Sequence, residues 1–431
     1  MRFSYCKQIT SSTGFPNRIL TGLGIHKEIL SSEEYSQLPL PYRELCTEGE
    51  QFLALQDDDE VYVYSSPGRI TYAGSHAESW KGKTLAAAVN PDIRAIVRPR
   101  TDRQVVIYSR GYEHPFHIHI DEYDPVDQER GTSSALIRGA AAVLARDGIQ
   151  TGGFDAYLNA SLLPGSGLNA SASFTVLCLG LLTDAGKNFP NESEGPYTPL
   201  ELSSKVKEIE EHFFSETGDL ASGAVIYSGG LHYIDHSPEL SLQRINQNQG
   251  LFHKRQYIVD SLSAEAGSET AYAHLHDELE KIIALKGESI LDAKVFAGYS
   301  QEDIVLLHFF YSENFRIQQL VHCLRNGNHS RLYHLFQEYL HEYRHILNLI
   351  NRKSSNYNDQ LELLHSILSI FRIEEDVEIV HGPFGPGLDS KAFFLLPPAH
   401  GGEFEHLIRR FFQRIDIQPV YPREKGLVRL L

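Results

Sequence analysis

The chain has 431 residues, which is enough for two domains with buried cores. Its hydrophobic content of 42% and charged content of 22% indicate a soluble globular protein. The net charge of −17, from 39 basic and 56 acidic residues, disfavours nucleic acid and anionic membranes as partners. The sequence has no apolar run of about eighteen residues, no signal pattern and no closely spaced cysteine pair, so it predicts a cytoplasmic protein with reduced thiols.

The first half of the chain is predicted to be rich in strands. Residues 1–59 show no clear period and are interpreted as an N-terminal extension. Alternating and short apolar runs predict strands at 60–65, 70–74, 84–89, 92–98, 104–109 and 153–160, and helical spacing predicts a helix at 133–146. The break between the first two strands is placed at Ser66-Pro-Gly-Arg69.

The second half is predicted to be mostly helical. An amphipathic helix is expected at 201–214, strand-like residues at 223–235, and helices between 268 and 351. Strands return at 377–380 and 392–396, followed by a helix near 403–412. A change of pattern near 247–252 places the domain boundary there, which gives domains at 60–250 and 251–431.

One stretch between a predicted strand and a predicted helix has the layout of an anion site. It is Leu162-Leu-Pro-Gly-Ser-Gly-Leu-Asn-Ala-Ser-Ala-Ser173. Gly165 and Gly167 let the backbone approach a phosphate closely, and the free N–H groups of the helix's first turn favour an anion. Ser171 and Ser173 are candidates for a hydroxyl contact to the phosphate or its magnesium ion. The alternative is an ordinary loop in which Asn169 or Ser171 caps the helix.

Three motifs in this order resemble those of galactokinase and the wider superfamily that includes homoserine, mevalonate and phosphomevalonate kinases. They are Ser66-Pro-Gly-Arg-Ile-Thr-Tyr-Ala-Gly-Ser-His-Ala-Glu78, the loop at 165–173, and His308-Phe-Phe-Tyr-Ser-Glu-Asn-Phe-Arg316. The resemblance runs from about residue 40 to the end of the sequence. It implies a two-domain α+β fold, with an N-terminal domain like domain 2 of ribosomal protein S5, a C-terminal ferredoxin-like domain, and a cleft between them.

The resemblance also implies a chemistry, in which a sugar hydroxyl attacks the terminal phosphorus of magnesium-bound ATP. The loop residues expected at the ATP phosphates are Pro164, Gly165, Ser166, Gly167, Leu168, Asn169, Ala170 and Ser171. The residues expected at the sugar are Ser75, His76, Glu78 and Tyr272. Ser171 and Glu210 would hold Mg²⁺, and Arg69 would lie beside the transferring phosphate. For Glu210, a solvated acidic helix face is the alternative role. The alternative for Arg69 is a simple ion pair with a carboxylate, and the alternative for Tyr272 is a packing or rim position.

The sequence leaves the catalytic base open between two residues. The family places an aspartate twelve residues after the magnesium glutamate, and the same count from Glu210 without a gap reaches Ser222. Asp219 is the carboxylate nearby, but it requires compensating shifts of three residues. We favour the ungapped count, which puts at the base position a serine that cannot take a proton near neutral pH.

These departures lead to two hypotheses about function. Two of the family's loop hydroxyls are missing at Asn169 and Ala170, and its glycine-rich turn has become the proline-containing stretch 381–387. The first hypothesis is an active ATP-dependent kinase acting on the anomeric hydroxyl of a hexose such as galactose. The second is a degenerate homologue that binds a sugar or nucleotide without turnover. We favour the kinase because the arginine, histidine and glutamate of the motifs are retained. We expect the protein to be a monomer.

Overall fold

The computed structural model describes residues 1–78, 81–162, 164–190, 195–215, 218–246, 250–260, 300–351, 359–384, 391–412 and 415–431. They form two compact units. The first contains Met1–Ile70, Ala87–Leu231 and Pro422–Leu431, and the second contains Thr71–Ala86 and His232–Tyr421. The units are therefore interleaved in sequence, whereas the predicted domains were contiguous, and residues 71–86 and 232–246 group with the second unit.

The strands of the described residues form two sheets. The strands are β1 (Tyr62–Ala73), β2 (Lys83–Pro99), β3 (Gln104–Ser109), β4 (Phe116–His119), β5 (Phe154–Ala160), β6 (Leu231–Asp235), β7 (Ser241–Ile245), β8 (Arg255–Asp260), β9 (Val380–Pro383), β10 (Lys391–Leu396), β11 (Asp416–Val420) and β12 (Val428–Arg429). The first sheet has the strand order β12-β1-β2-β5-β3-β4, and in addition β6 pairs with β2 and β7 pairs with β6. The second sheet is antiparallel, with the order β11-β8-β10-β9.

The helices of the described residues are also divided between the units. Those of the first unit are α1 (Phe3–Thr10), α2 (Phe15–Leu23), α3 (Ser32–Gln37), α4 (Leu40–Phe52), α5 (Ser133–Arg146), α6 (Ala170–Gly186), α7 (Pro199–Ile209) and α8 (Leu220–Ser228). Those of the second unit are α9 (Gln301–Arg325), α10 (His329–Asn351), α11 (Asp359–Glu374) and α12 (Gly401–Phe411). None of the helices in these described ranges is long and apolar enough to cross a membrane.

Residues 1–59 fold as part of the first unit. Helices α1 to α4 are short, and local signals set their ends, which explains why no single period was visible in the sequence. Ser31 and Glu34 form a capping box at the start of α3, and Gly24 ends α2 with a left-handed backbone at φ +66°. α4 packs against β5, the strand that leads into the glycine loop.

Several strands are longer than the sequence predicted. The predicted break at 66–69 is wrong, because β1 continues through Pro67. β1 pairs with β12 at Tyr64 and Ser65, so the proline's missing N–H does not interrupt that ladder. β2 likewise joins the two strands predicted at 84–89 and 92–98. The strand-like residues predicted at 223–235 form most of α8 before β6 begins.

The second unit packs helices against its antiparallel sheet, as the α+β prediction required. Its core is a buried apolar cluster contributed by β8, β10, α11 and α12, which includes Tyr257, Leu364, Leu368, Phe394 and Phe404. In β8 and β10, Ala392 lies opposite Val259 and Phe394 opposite Tyr257, so alternate side chains reach the same face. The α+β fold is thus confirmed.

Candidate active site

The glycine loop connects β5 to α6, as predicted. Gly165 and Gly167 have φ values of +72° and +78° and are exposed, while Leu168 is buried and anchors the loop. Asn169 precedes α6 with a left-handed backbone, and its side chain makes no capping hydrogen bond. The capping alternative is therefore not what the structure contains, and the loop and the first turn of a seventeen-residue helix have the layout of an anion site.

The loop is held against β1 by backbone and hydroxyl contacts. The Arg69 N–H donates to the Leu168 carbonyl at 2.9 Å, and the Ser173 hydroxyl donates to the Ser66 hydroxyl at 3.0 Å. A Cβ on Gly68 would lie 3.1 Å from the Leu168 carbonyl oxygen and 2.9 Å from the Leu162 side chain. Ser173 is fully buried, so its hydroxyl has a structural contact in place of the predicted contact to phosphate or magnesium.

The backbone hydrogen bond to Leu168 places Arg69 next to the loop, and there the arginine side chain pairs with Asp219. Arg69 Nη1 lies 2.8 Å from Asp219 Oδ2, and the arginine side chain is only 10% exposed. The Arg69 Nε–H is buried and has no hydrogen-bond partner among the described residues. A buried guanidinium N–H normally has an acceptor, so this donor fits an anionic ligand oxygen.

Asp219 and Ser222 have different positions in the site. Asp219 caps α8: its Oδ1 accepts from the Ala221 N–H at 2.5 Å and the Ser222 N–H at 3.2 Å. Ser222 is fully buried, and its hydroxyl donates to Asp219 Oδ2 at 2.7 Å. The carboxylate, not the serine, therefore meets the guanidinium of Arg69, and the geometry favours Asp219 over the residue reached by the ungapped count.

The two predicted magnesium ligands are also in contact. The Ser171 hydroxyl, in the first turn of α6, donates to Glu210 Oε1 at 2.6 Å. Glu210 begins a π-helical turn, Glu210–Phe214, and is 4% exposed, so it does not lie on a solvated acidic face. The described residues contain no cluster of three or more His, Cys, Asp or Glu side chains that could hold a metal. Two oxygen ligands still suit Mg²⁺, which usually keeps waters and substrate phosphates in its coordination shell.

The predicted sugar residues lie in a turn of the second unit that follows β1. Gly74 has φ +81°, and its N–H donates to the Tyr339 hydroxyl at 3.1 Å. His76 is 5% exposed, and its Nε2 lies 3.1 Å from the Tyr343 hydroxyl. Ser75 and Glu78 are half-buried. Tyr272, the fourth predicted sugar residue, lies outside the described residues, as do residues 385–390 of the proline-containing turn.

A buried carboxyl supports this turn. The Tyr339 hydroxyl donates to Glu313 Oε1 at 2.8 Å, and burial raises the pKa of Glu313 to about 7. Of the helix motif, Glu313 is buried and Arg316 pairs with Glu342, whereas His308 is exposed. The sequence did not single out Tyr339. An aromatic residue at helical spacing is usually a core residue, and its hydroxyl contact depends on tertiary packing.

Comparisons of the sequence and of the structure with known proteins both find similar kinases. No family model matches this sequence. The galactokinase of Lacticaseibacillus paracasei is 28% identical over 153 residues, which cover 35% of this chain and 38% of that protein. The chain thus aligns with well under half the length of this curated relative.

Solved structures match over much more of the chain. The galactose complex of Lactococcus lactis galactokinase has a TM-score of 0.69 at 18% identity and covers 89% of this chain and 99% of its own. The mevalonate kinase of Methanococcus jannaschii has a TM-score of 0.59 at 12% identity and covers 84% of this chain and 98% of its own. The fold is therefore that of small-molecule kinases. The chain is a divergent member of the galactokinase, homoserine, mevalonate and phosphomevalonate kinase superfamily.

Proposed function

We propose that the protein is an ATP-dependent kinase that transfers the terminal phosphoryl group to the anomeric hydroxyl of a hexose such as galactose. The observation that carries the proposal is the Arg69–Asp219 ion pair beside the glycine loop, at 2.8 Å. A cation next to a carboxylate supplies both charges that phosphoryl transfer to a hydroxyl uses. The similar proteins named above are kinases, and one of them is solved with galactose.

The phosphate tail of ATP would lie on residues 164–171. The exposed glycines and the first turn of α6 offer backbone N–H groups. The Arg69 Nε–H, which has no hydrogen-bond partner among the residues that the structure describes, offers a charged donor. Because β1 is bonded to the loop through Leu168, the guanidinium stays next to the phosphate site without a conformational change. Holding a positive charge there in advance lowers the barrier by stabilising charge as it develops.

Ser171 and Glu210 fit a magnesium ion. Their oxygens lie 2.6 Å apart, and the carboxylate is buried, so the hydroxyl and the carboxylate could contact the same cation. When bound, Mg²⁺ neutralises the phosphate oxygens. Glu210 contributes a fixed negative charge that selects magnesium-bound nucleotide over free nucleotide, since the free nucleotide's phosphates would be repelled by this carboxylate.

Asp219 would take the proton of the attacking hydroxyl at Oδ2. Its other oxygen is held by the N–H groups at the start of α8, so the carboxylate is fixed in place. Ser222 orients it through Oδ2, and Arg69 forms an ion pair with the same oxygen. A base at Asp219 would weigh against the non-catalytic hypothesis, which drew support from the apparent loss of that residue.

The sugar would contact Ser75, His76, Glu78 and Tyr272, as the resemblance implies. The described members of this set belong to a turn fixed by Tyr339 and Tyr343, which suits a site that must discriminate between sugar epimers. The longer side chain of Glu78, in place of the family's aspartate, alters which hydroxyl the carboxylate reaches. Galactose is the first sugar to test, because one of the similar structures holds it, and the longer Glu78 makes its epimers the necessary comparison.

Turnover is tested by coupled ADP release from Mg²⁺-ATP across a panel of hexoses, with the product identified as a sugar 1-phosphate by mass and acid lability. We expect release that depends on one sugar. Glu210→Gln should lower turnover about 100-fold or more, since it removes the proposed magnesium carboxylate. Glu208→Gln is the matched control, because Glu208 lies two residues away and pairs with Arg146. Absence of turnover with every sugar, together with thermal stabilisation by a sugar alone, would instead support a binding protein.

A further inference from the structure

Two thiols that are far apart in sequence meet between the N-terminal helices. Cys6 lies on α1 and Cys46 on α4, and their sulfur atoms are 3.6 Å apart. Both side chains are buried, with exposures of 0% and 4%. Their positions differ by 40 in the sequence, so no pair was predicted and the thiols were expected to be widely spaced and reduced.

Contacts on both sides of the thiols hold the two helices in register. Lys7 pairs with Glu50 at 2.9 Å, and Arg43 donates from Nε to the Thr10 carbonyl at 2.9 Å. Each contact joins α1 to α4 within four residues of a cysteine. The sulfur atoms therefore face each other because the helices are aligned, and an approach of roughly 1.5 Å would bring them to the length of a disulfide bond.

We propose that Cys6 and Cys46 are an oxidation site that closes to an internal disulfide in the presence of a hydroperoxide. One thiolate attacks a peroxide oxygen, which gives a sulfenic acid and releases water after protonation. The second thiol attacks the sulfenic sulfur, forms the S–S bond and releases a second water. The two thiols lose two electrons and two protons in total, and hydrogen peroxide is reduced to two waters.

The environment of the pair favours Cys46 as the first thiolate. The hydrogen bond with Cys6 lowers the pKa of Cys46, and the Cys46 thiol is the one of the pair that this contact favours as thiolate. Cys178 differs, because burial alone raises the pKa of its thiol and no such partner lowers it.

The bond would staple α1 to α4 across a 40-residue separation. Closing a loop of that length removes entropy from the unfolded chain, which raises the melting temperature of the first unit by about 5 °C or more. This modification is independent of the proposed kinase reaction. A protein with no turnover could still form the bond.

The test is peptide mapping of the full chain after treatment with hydrogen peroxide. Remaining thiols are alkylated in denaturant, and the protein is digested with trypsin without reductant. We expect a linked pair of the peptides 3–7 and 44–69, each containing one cysteine, that separates on reduction, while Cys178 and Cys323 are alkylated. The melting temperature should rise in the oxidised protein and return after reduction.

Three variants test whether the linked peptides come from this pair of cysteines. Cys6→Ser and Cys46→Ser should each abolish the linked peptides and the reversible rise in melting temperature, whereas Cys323→Ala should keep both. Sulfinic or sulfonic acid at Cys6 or Cys46 without linked peptides would overturn the proposal. So would alkylation of both cysteines after peroxide treatment, or a link that involves Cys178.

Discussion

Replacement of Asp219 by asparagine separates the proposed chemistry from the fold. The amide oxygen of Asn can keep the bonds from the Ala221 and Ser222 N–H groups, because asparagine is as good an N-cap as aspartate. The amide nitrogen would then replace Oδ2, the atom that accepts from Arg69 and from the Ser222 hydroxyl. The variant thus loses the base and the ion pair, but retains the cap of α8.

The expected effect on rate is much larger than the effect on stability. Loss of a positioned general base costs about 10²- to 10⁴-fold in kcat, equivalent to roughly 3–5 kcal/mol in activation free energy. Loss of the Arg69 ion pair, in which the carboxylate is 31% exposed, costs about 1–2 kcal/mol in unfolding free energy. KM for ATP should change little, because the glycine loop is untouched.

The assay is steady-state ADP release for kcat and KM, with urea denaturation for stability. Asp155→Asn is the matched control: Asp155 is buried in the same unit and accepts from Arg98 and Arg100, each at 2.7 Å. We expect the control to lose comparable stability and keep its kcat. A folded Asp219→Asn protein whose kcat stays within about threefold of wild type would refute the role of Asp219 as base.

Two further predictions concern packing and pH. Gly68→Ala should weaken nucleotide binding and cost about 1–3 kcal/mol in unfolding free energy, because the added Cβ would press on the Leu168 carbonyl. Gly14→Ala is the control and should be nearly neutral, because nothing lies within 4 Å of its added Cβ. Calorimetry measures the binding and urea denaturation measures the stability of both variants. Burial raises the pKa of Glu313 from 4.5 to about 7, so the folded protein binds a proton that the unfolded chain has lost. This contribution is complete below about pH 4.5 and is lost as pH rises to about 7, with a slope of up to about 1.4 kcal/mol per pH unit. Glu313→Gln should remove that slope in denaturation at pH 5, 6 and 7, and an unchanged slope would contradict it.

Local sequence signals located the glycine loop because they act over a few residues. Gly165 and Gly167 permit a left-handed backbone, and an apolar run after them predicts a buried helix, so the loop and α6 could be placed before the structure was known. The same holds for α9 and α10, whose long helical spacing was visible. The predicted break in β1 failed because a proline signal does not reveal whether the strand needs that N–H.

The proposed base, Asp219, could not be found by counting along the sequence. A π-helical turn begins at Glu210, and Ser215 has a left-handed backbone at φ +71°, so equal spacing along the sequence does not mean equal position in space. The count reached Ser222, while the structure brings Asp219 to Arg69. Tyr339 and the Cys6–Cys46 pair were missed for the related reason that both depend on contacts between distant segments.

The most direct measurement of the central claim is calorimetric titration with a non-hydrolysable ATP analogue, with and without Mg²⁺. We predict that binding depends on Mg²⁺ and weakens about 10-fold or more in Ser171→Ala, which removes a proposed magnesium ligand. The control is Ser204→Ala, since that hydroxyl bonds only to the Leu200 carbonyl of its own helix among the contacts of the described residues. Equal affinity with and without Mg²⁺, or unchanged affinity in Ser171→Ala, would contradict the nucleotide site at residues 164–171.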